Sequence, residues 1–151
     1  MIGLLQRVTA ARVEVGTECV GRIGAGLLVL VGIERGDTEA QADRLLERLA
    51  TYRVFPDEEG RMNRSLLDIG GGMLLVPQFT LAADTQKGTR PGFSTAAEPA
   101  EGRRLFGYLA GVAHRRLADV QTGQFGAHMR VSLTNDGPVT FSLRVPPAAA
   151  G

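Results

Sequence analysis

A mixed α/β fold, one domain of layered mixed β-sheets with two main helices, is what this 151-residue sequence predicts. Three observations carry that expectation. Short runs with strand character open and close the chain, a continuously apolar run, GLLVLVGI, occupies 26–33, and two stretches with helical spacing separate the strand groups. The order is strands, helix, strand, helix, strands, which layers sheets against helices around one core. A chain of this length buries such a core without disulfides or a metal.

Each element has its own justification. GLLQRV, ARVEV and ECVGRI read as short strands broken by Gly16 and Gly21, and they lead into 26–33, whose unbroken apolar character predicts a buried central strand. Thr38 stands three residues before Gln41, the spacing of a capping box, and Ala42, Leu45, Leu46 and Leu49 follow on one helical face. MLLVPQFTL at 73–81 reads as a strand entering a loop, because Pro77 has no N–H for a ladder and suits a strand end. Residues 82–97 hold Gly88, Pro91 and Gly92 and read as loop. A second helix is expected from Pro99 to Leu117, with Leu105, Leu109, Val112 and Ala113 inward and Gly107 and Gly111 weakening it. Met129, Val131 and Leu133 alternate with polar residues, as do Val139, Phe141, Leu143 and Val145. They predict two half-buried strands joined at a tip, TNDGPVT at 134–140. The domain is expected to span 1–145, with 146–151 as a frayed tail.

Composition removes several function classes. With 17 basic and 16 acidic residues the net charge is +1, too weak a field to hold long nucleic acid non-specifically, and no DNA partner is expected. A nucleic acid gripped at one end stays open. Cys19 is the only cysteine, so neither an intramolecular disulfide nor a cysteine zinc cluster can be assembled, and a reducing cytoplasm is the expected compartment. No apolar run reaches the roughly 18 residues a bilayer needs, and the first fifteen residues lack the pattern of a signal peptide.

The chemical motifs are mostly absent. There is no GxxxxGK[ST] loop and no HExxH, and His114 and His128 stand too far apart to be proposed as a metal pair, so neither metal nor cofactor is expected. GFSTA at 92–96 approximates a nucleophile elbow around Ser94, but Ala96 replaces its last glycine and no apolar strand precedes it. His114, beside Arg115 and Arg116, reads as part of a solvated basic face, while His128 fits either surface or site. GRIGAG at 21–26 leads into a strand, lacks the helix N-terminus that would hold a phosphate, and reads as a turn. What remains is two loops of constrained backbone, VPQFTL and NDGPVT. A site built there relies on backbone groups, and fixed N–H dipoles aimed at a developing oxyanion contribute about 3 to 4 kcal/mol per donor.

PQFTL at 77–81, NDGPVT at 135–140, GQFGAHM at 123–129, RMNRSL at 61–66 and the opening LLQRV…GRIGAGLLVLVGI together resemble the D-aminoacyl-tRNA deacylase family over roughly 1–145. The resemblance implies a barrel-like, homodimeric, metal-free hydrolase. Its substrate is the ester between a D-amino acid, or glycine mischarged on tRNA(Ala), and the 3′ end of tRNA, and its role is chiral proofreading. It also implies that Gly137 and Pro138 form a cis peptide that enters the partner subunit's pocket and excludes L side chains. Gln78, Phe79 and Thr80 are the implied catalytic wall facing it. Lys87 and Arg90, in the loop DTQKGTRPGF, are candidates for tRNA phosphates; an ordinary solvated loop explains them equally well.

One position departs from the pattern. Pro77 stands where the family has serine, and a related deacylase family with proline there carries a trans Gly-Pro and admits L-alanyl-tRNA. Phe79, NDGPVT and Arg7 follow the D-specific pattern. A simple turn at Gly137 and Pro138 is the alternative structural expectation. A non-enzymatic module for RNA ends is the alternative functional one, with six Phe, two Tyr and no Trp to supply its stacking surfaces.

Overall fold

The computed structural model describes residues 1–148, so 149–151 of the expected frayed tail lie outside the described residues. The chain runs through β1 (Ile2–Val15), β2 (Glu18–Ile23), β3 (Gly26–Gly32), α1 (Glu39–Thr51), β4 (Phe55–Pro56), β5 (Met62–Arg64) and a one-turn α2 (Leu66–Ile69). It continues through β6 (Gly72–Pro77), a 3-10 turn (Phe79–Ala82), α3 (Pro99–Arg116), β7 (Val120–Thr122) and β8 (Arg130–Arg144).

Six strands form one sheet in the order β2, β1, β3, β6, β7, with β8 also on β1. β3, β6 and β7 run parallel, and the pairs made by β1 are antiparallel. β1 organises the sheet. Ile2 to Glu14 pair with β8 along one edge, with breaks at Arg7 and Thr9, while β3 takes Ile2 to Val8 and β2 takes Ala11 to Val15 along the other. β2 then packs back against β6 and β7, and the sheet curls into a nearly closed barrel. β4 and β5 make a separate two-stranded ribbon.

Alternation along β3 and β6 divides the apolar residues between two cores. Leu27, Val29, Val31, Met73 and Leu75 face the helices, where Leu45, Leu46 and Leu49 of α1 and Leu105, Leu109 and Ala113 of α3 cover them. Leu28, Leu74 and Val76 face the barrel interior with Val8, Val13 and Ile23. Burying each such leucine contributes about 1.5 to 3 kcal/mol. Val112, expected inward, is only partly buried. The capping box is present: Thr38 Oγ1 accepts from the Ala40 N–H at 3.3 Å, and the Thr38 N–H donates to Gln41 Oε1 at 2.7 Å. No helix among the described residues is long and apolar enough to cross a membrane.

Two strand expectations are corrected. GLLQRV and ARVEV are one strand, because Thr9 and Ala10 stay extended within β1; Gly16 makes the following turn, and Gly21 remains inside β2, so GRIGAG turns only at 24–25. The last two strands are likewise one strand, β8, and the tip between them is no hairpin turn. Thr140 pairs with Gln6 and Asn135 with Val8, so both arms run along β1, and 136–139 buckle out opposite the single residue Arg7.

Close to the barrel's seam lies a buried ionic clasp. The Met1 ammonium donates to Glu34 Oε2 at 2.9 Å, Asp37 Oδ1 at 2.8 Å and the Val145 carbonyl at 2.6 Å, and Arg144 Nη2 reaches Glu34 Oε1 at 3.0 Å. Burial pushes the Glu34 carboxyl up, but its hydrogen bonds from Arg144 and the ammonium, with their charges, outweigh that and hold it below its ordinary value of 4.5. Asp37 goes the other way, because its own burial outweighs the bonds it accepts.

Candidate active site

At the C-terminal end of β6 the parallel ladder stops at Pro77, and the chain turns sharply through the 3-10 turn. The Gln78 N–H is anchored to the Val31 carbonyl of β3 at 2.7 Å, which fixes where the turn begins. Gly32 lets the turn lie directly on β3: a Cβ there would stand 2.9 Å from Leu81 Cβ and 3.4 Å from the Gln78 carbonyl oxygen. Within the turn, Leu81 N–H donates to the Gln78 carbonyl and Ala83 N–H to that of Thr80. The N–H groups of Phe79 and Thr80, at the start of the turn, have no hydrogen-bond acceptor among the described residues. Two adjacent backbone donors are therefore left without a protein acceptor among the described residues.

Beside the turn opens a cavity of about 450 Å³ lined mainly by apolar groups, among them Pro77, Gln78, Phe79, Phe125, Met129 and Val131. Phe125 is held between Phe106, at 6.4 Å between ring centroids, and the guanidinium of Arg103, 5.0 Å from the ring centre. Phe79 is 61% exposed and leans on Phe93, itself 43% exposed, at 5.3 Å between centroids. Such an exposed aromatic pair beside the cavity is a candidate contact surface. Gln78 Nε2 donates to Thr80 Oγ1, so the threonine hydroxyl is engaged within the turn, and among the described residues no histidine or carboxylate is hydrogen-bonded to it.

The remaining candidates fall in three places. Lys87 and Arg90 are exposed on the loop closed by the mutual backbone bonds of Asp84 and Gly92, just before Phe93. Ser94 follows in the same segment, with its carbonyl bound by Arg35 Nε at 2.9 Å, and lacks the strand-turn-helix setting of a nucleophile elbow. Gly137 and Pro138 do not line the cavity of their own chain. They lie in the buckled segment of β8, where the Gly137–Pro138 peptide is cis.

The buckle is held by side chains. Asn135 Nδ2 donates to Thr140 Oγ1 at 2.9 Å and the Val139 N–H donates to Asn135 Oδ1 at 3.2 Å, closing its base. Arg7 braces it from β1: Nε donates to the Asp136 carbonyl at 3.2 Å and Nη1 to the Val54 carbonyl at 2.7 Å. Gly137, at φ 125°, is a conformation for glycine, and a Cβ there would meet Val139 Cγ2 at 2.8 Å and Arg7 Nη2 at 3.0 Å.

Sequence reasoning passed over Phe125 and Met129 as site residues and left His128 undecided; His128 lines the cavity too. The glycines of GQFGAHM marked an irregular segment, but nothing in it pointed to a cavity wall, since that role comes from α3 packing behind it. His114 is exposed on α3 and away from the cavity lining.

The chain matches a family model described as D-Tyr-tRNA(Tyr) deacylase over residues 4–144. It is 62% identical over 148 residues to a D-aminoacyl-tRNA deacylase of Nitrosococcus oceani, covering 98% of this chain and 96% of that one. It is 65% identical over 147 residues to one of Thioalkalivibrio sulfidiphilus, covering 97% and 99%. Among solved structures, one described as c-Myc DNA Unwinding Element Binding Protein superposes with a TM-score of 0.92 at 35% identity, covering 97% of this chain and 99% of that chain. Another, described as a probable eukaryotic D-amino acid tRNA deacylase, superposes at 0.75 with 19% identity and shares the fold.

Proposed function

The chain belongs to the D-Tyr-tRNA(Tyr) deacylase family, and from that membership we propose that it hydrolyses the ester joining a D-amino acid to the terminal adenosine of tRNA. The observation that carries this reading is the pair of acceptor-less N–H groups at Phe79 and Thr80 beside an aromatic cavity. Water adds to the ester carbonyl, and the two N–H groups receive the negative charge that develops on its oxygen. Collapse breaks the bond to the ribose oxygen, which leaves with a proton and releases free amino acid and tRNA. With no side-chain base hydrogen-bonded to Thr80 among the described residues, the neighbouring ribose hydroxyl of the substrate moves the proton in this reading. Gln78 holds the turn in shape through its hydrogen bond to Thr80.

Chiral choice belongs in this reading to Gly137 and Pro138. The tip they form lies outside the cavity of its own chain, so it serves the cavity of a second copy, and the working unit is a homodimer with two equivalent sites. An L side chain collides there with backbone, a stronger discrimination than a missing methylene provides. Glycine, which has no side chain, passes. Lys87 and Arg90, exposed on the loop that precedes Phe93, are in this reading the contacts for the terminal phosphates of the tRNA, and the cytoplasm is where such substrates occur.

Purified protein incubated with D-tyrosyl-, L-tyrosyl-, L-alanyl- and glycyl-tRNA(Ala) tests the reading. Release from the D-ester and from glycine, with the L-esters spared, is expected; equal rates on D- and L-tyrosyl-tRNA sink it. L-alanyl-tRNA is included because Pro77 lines the cavity. With one cysteine and two separated histidines, the donor set suits no catalytic zinc, so chelation is expected to leave the rate unchanged.

A further inference from the structure

A second concave surface lies beside the buckled tip and has no part in the chemistry described above. Arg44 and Arg48 of α1, Arg53 and Thr51 border it, and Tyr52, Met62 and Phe141 form its floor. Positions 44, 48, 51 and 52 share one face of α1 and its C-terminal extension, so helical spacing gathers the charges. No acidic side chain lines the groove. Arg64 and Arg116 nearby are ion-paired with Glu58 and Glu47, whereas Arg44, Arg48 and Arg53 make no ion pair among the described residues. Arg48 reaches only the Arg144 carbonyl, and Arg53 only Asn63, through its carbonyl and side-chain oxygens. Three uncompensated guanidinium groups on a chain of net charge +1 form a local positive field that the whole-molecule balance conceals.

The floor adds a shape. Tyr52 and Phe141 pack edge to face, with ring centroids 5.7 Å apart, and Phe141 and Met62 are exposed although apolar. The groove also abuts the tip. Phe141 follows Thr140, which closes the base of the buckle, and Val54, another lining residue, accepts the bond from Arg7 that braces it.

We infer that this groove binds the ribose-phosphate backbone of the substrate's acceptor arm, and that it acts in trans, on the tRNA whose end occupies the partner's cavity. The inference rests on the proposed deacylase reading and its exchanged tip. A protomer that lends its tip brings the adjoining arginine groove to the mouth of the cavity it completes. Guanidinium forks match phosphate oxygens, and the groove is a strip where the backbone of a duplex can lie. Base identity is not read there.

The test replaces all three arginines, Arg44→Gln, Arg48→Gln and Arg53→Gln, and measures binding of an uncharged acceptor-arm RNA hairpin by fluorescence anisotropy at several salt concentrations. That readout needs no catalysis. Binding at least roughly tenfold weaker than the parent's, with the salt slope reduced by about two, is expected. In parallel, kcat/KM on D-aminoacyl-tRNA should fall through KM, while hydrolysis of a D-aminoacyl ester of adenosine alone stays at the parental rate. Equal hairpin binding by parent and variant, or no binding by the parent, overturns the inference. So does a variant that becomes monomeric, which would make the groove a contact between protomers. A parent that binds the hairpin but cleaves neither ester leaves the groove standing and overturns the deacylase reading instead.

Discussion

Thr80 carries the hydroxyl that most invites the role of nucleophile, and its surroundings argue against it. It is already engaged by Gln78, and activation needs a base that the turn does not contain. Thr80→Ala is therefore expected to slow deacylation by less than about tenfold, the value of one hydrogen bond near 1 kcal/mol. Loss of all activity, or an aminoacyl ester trapped on Thr80 and seen by mass spectrometry, would refute the backbone mechanism. Gly137 is the opposite case. A methyl group at that backbone conformation collides with Val139 and with the arginine that braces the tip, so Gly137→Ala displaces the tip or its brace. The strain costs about 1 to 3 kcal/mol of stability. A displaced tip misplaces the bound ester, a misplacement of about 1 Å costs on the order of a hundredfold in rate, and that is the loss expected for D-aminoacyl-tRNA. A variant of parental rate and selectivity would reduce the tip to a structural irregularity.

The 3-10 turn is held in place by β3 and β6, and at Gly32 it lies directly against β3. Gly32→Ala should lift the turn by tenths of an ångström, cost about 1 to 3 kcal/mol of stability through overpacking, and lower kcat tenfold or more. Thermal melts beside steady-state rates separate the two effects, and an unchanged kcat in a folded variant would detach the turn from catalysis. Thr38→Ala, by contrast, removes a cap far from the cavity and is expected to cost about 1 kcal/mol with kcat intact. Elements were legible where a local rule and tertiary packing agree. Thr38 with Gln41 announced α1, and the unbroken apolar run announced β3, since each pattern serves the contact that finally buries it. β8 was not legible as one strand. Gly137 and Pro138 carry the local signature of a turn, yet the strand resumes along the same edge of β1, a fact written in long-range pairing and in no short window. The cavity was half legible: PQFTL marked its rim, while Phe125 and Arg103 meet only through the packing of α3.

For the whole molecule, the proposed exchange of tips would make each site the property of two chains. Light scattering is expected to give twice the chain mass. Mixing the Gly137→Ala protein with the Gly32→Ala protein should restore activity, because one mixed site joins an intact cavity to an intact tip. With random re-pairing, about a quarter of the parental rate is expected. No recovery in verified mixed dimers would place tip and cavity in the same chain. The ionic clasp sets the acid limit of the same molecule. Glu34 titrates below its ordinary value in the folded state, so the stability it contributes is complete above pH 4.5 and drains away as pH falls through the lowered folded value. Asp37 has the reverse sign: its contribution is present below 3.8 and is lost as pH rises through the raised folded value, which blunts the gain from Glu34. Denaturant melts from pH 3 to pH 7 should show an acid limb that flattens in Glu34→Gln. An unchanged limb would remove Glu34 from that role.

The pairing of β1 with β8 joins residues 2–14 to residues 130–144, nearly the full length of the chain apart. Contacts of such separation raise contact order, and loop-closure entropy must be met before they form. The tip has no scaffold until that ladder exists, since its braces come from β1 and its base is β8 itself. Refolding followed by fluorescence or circular dichroism will therefore run ahead of refolding followed by activity, and regained deacylation becomes the clock for the last long-range closure.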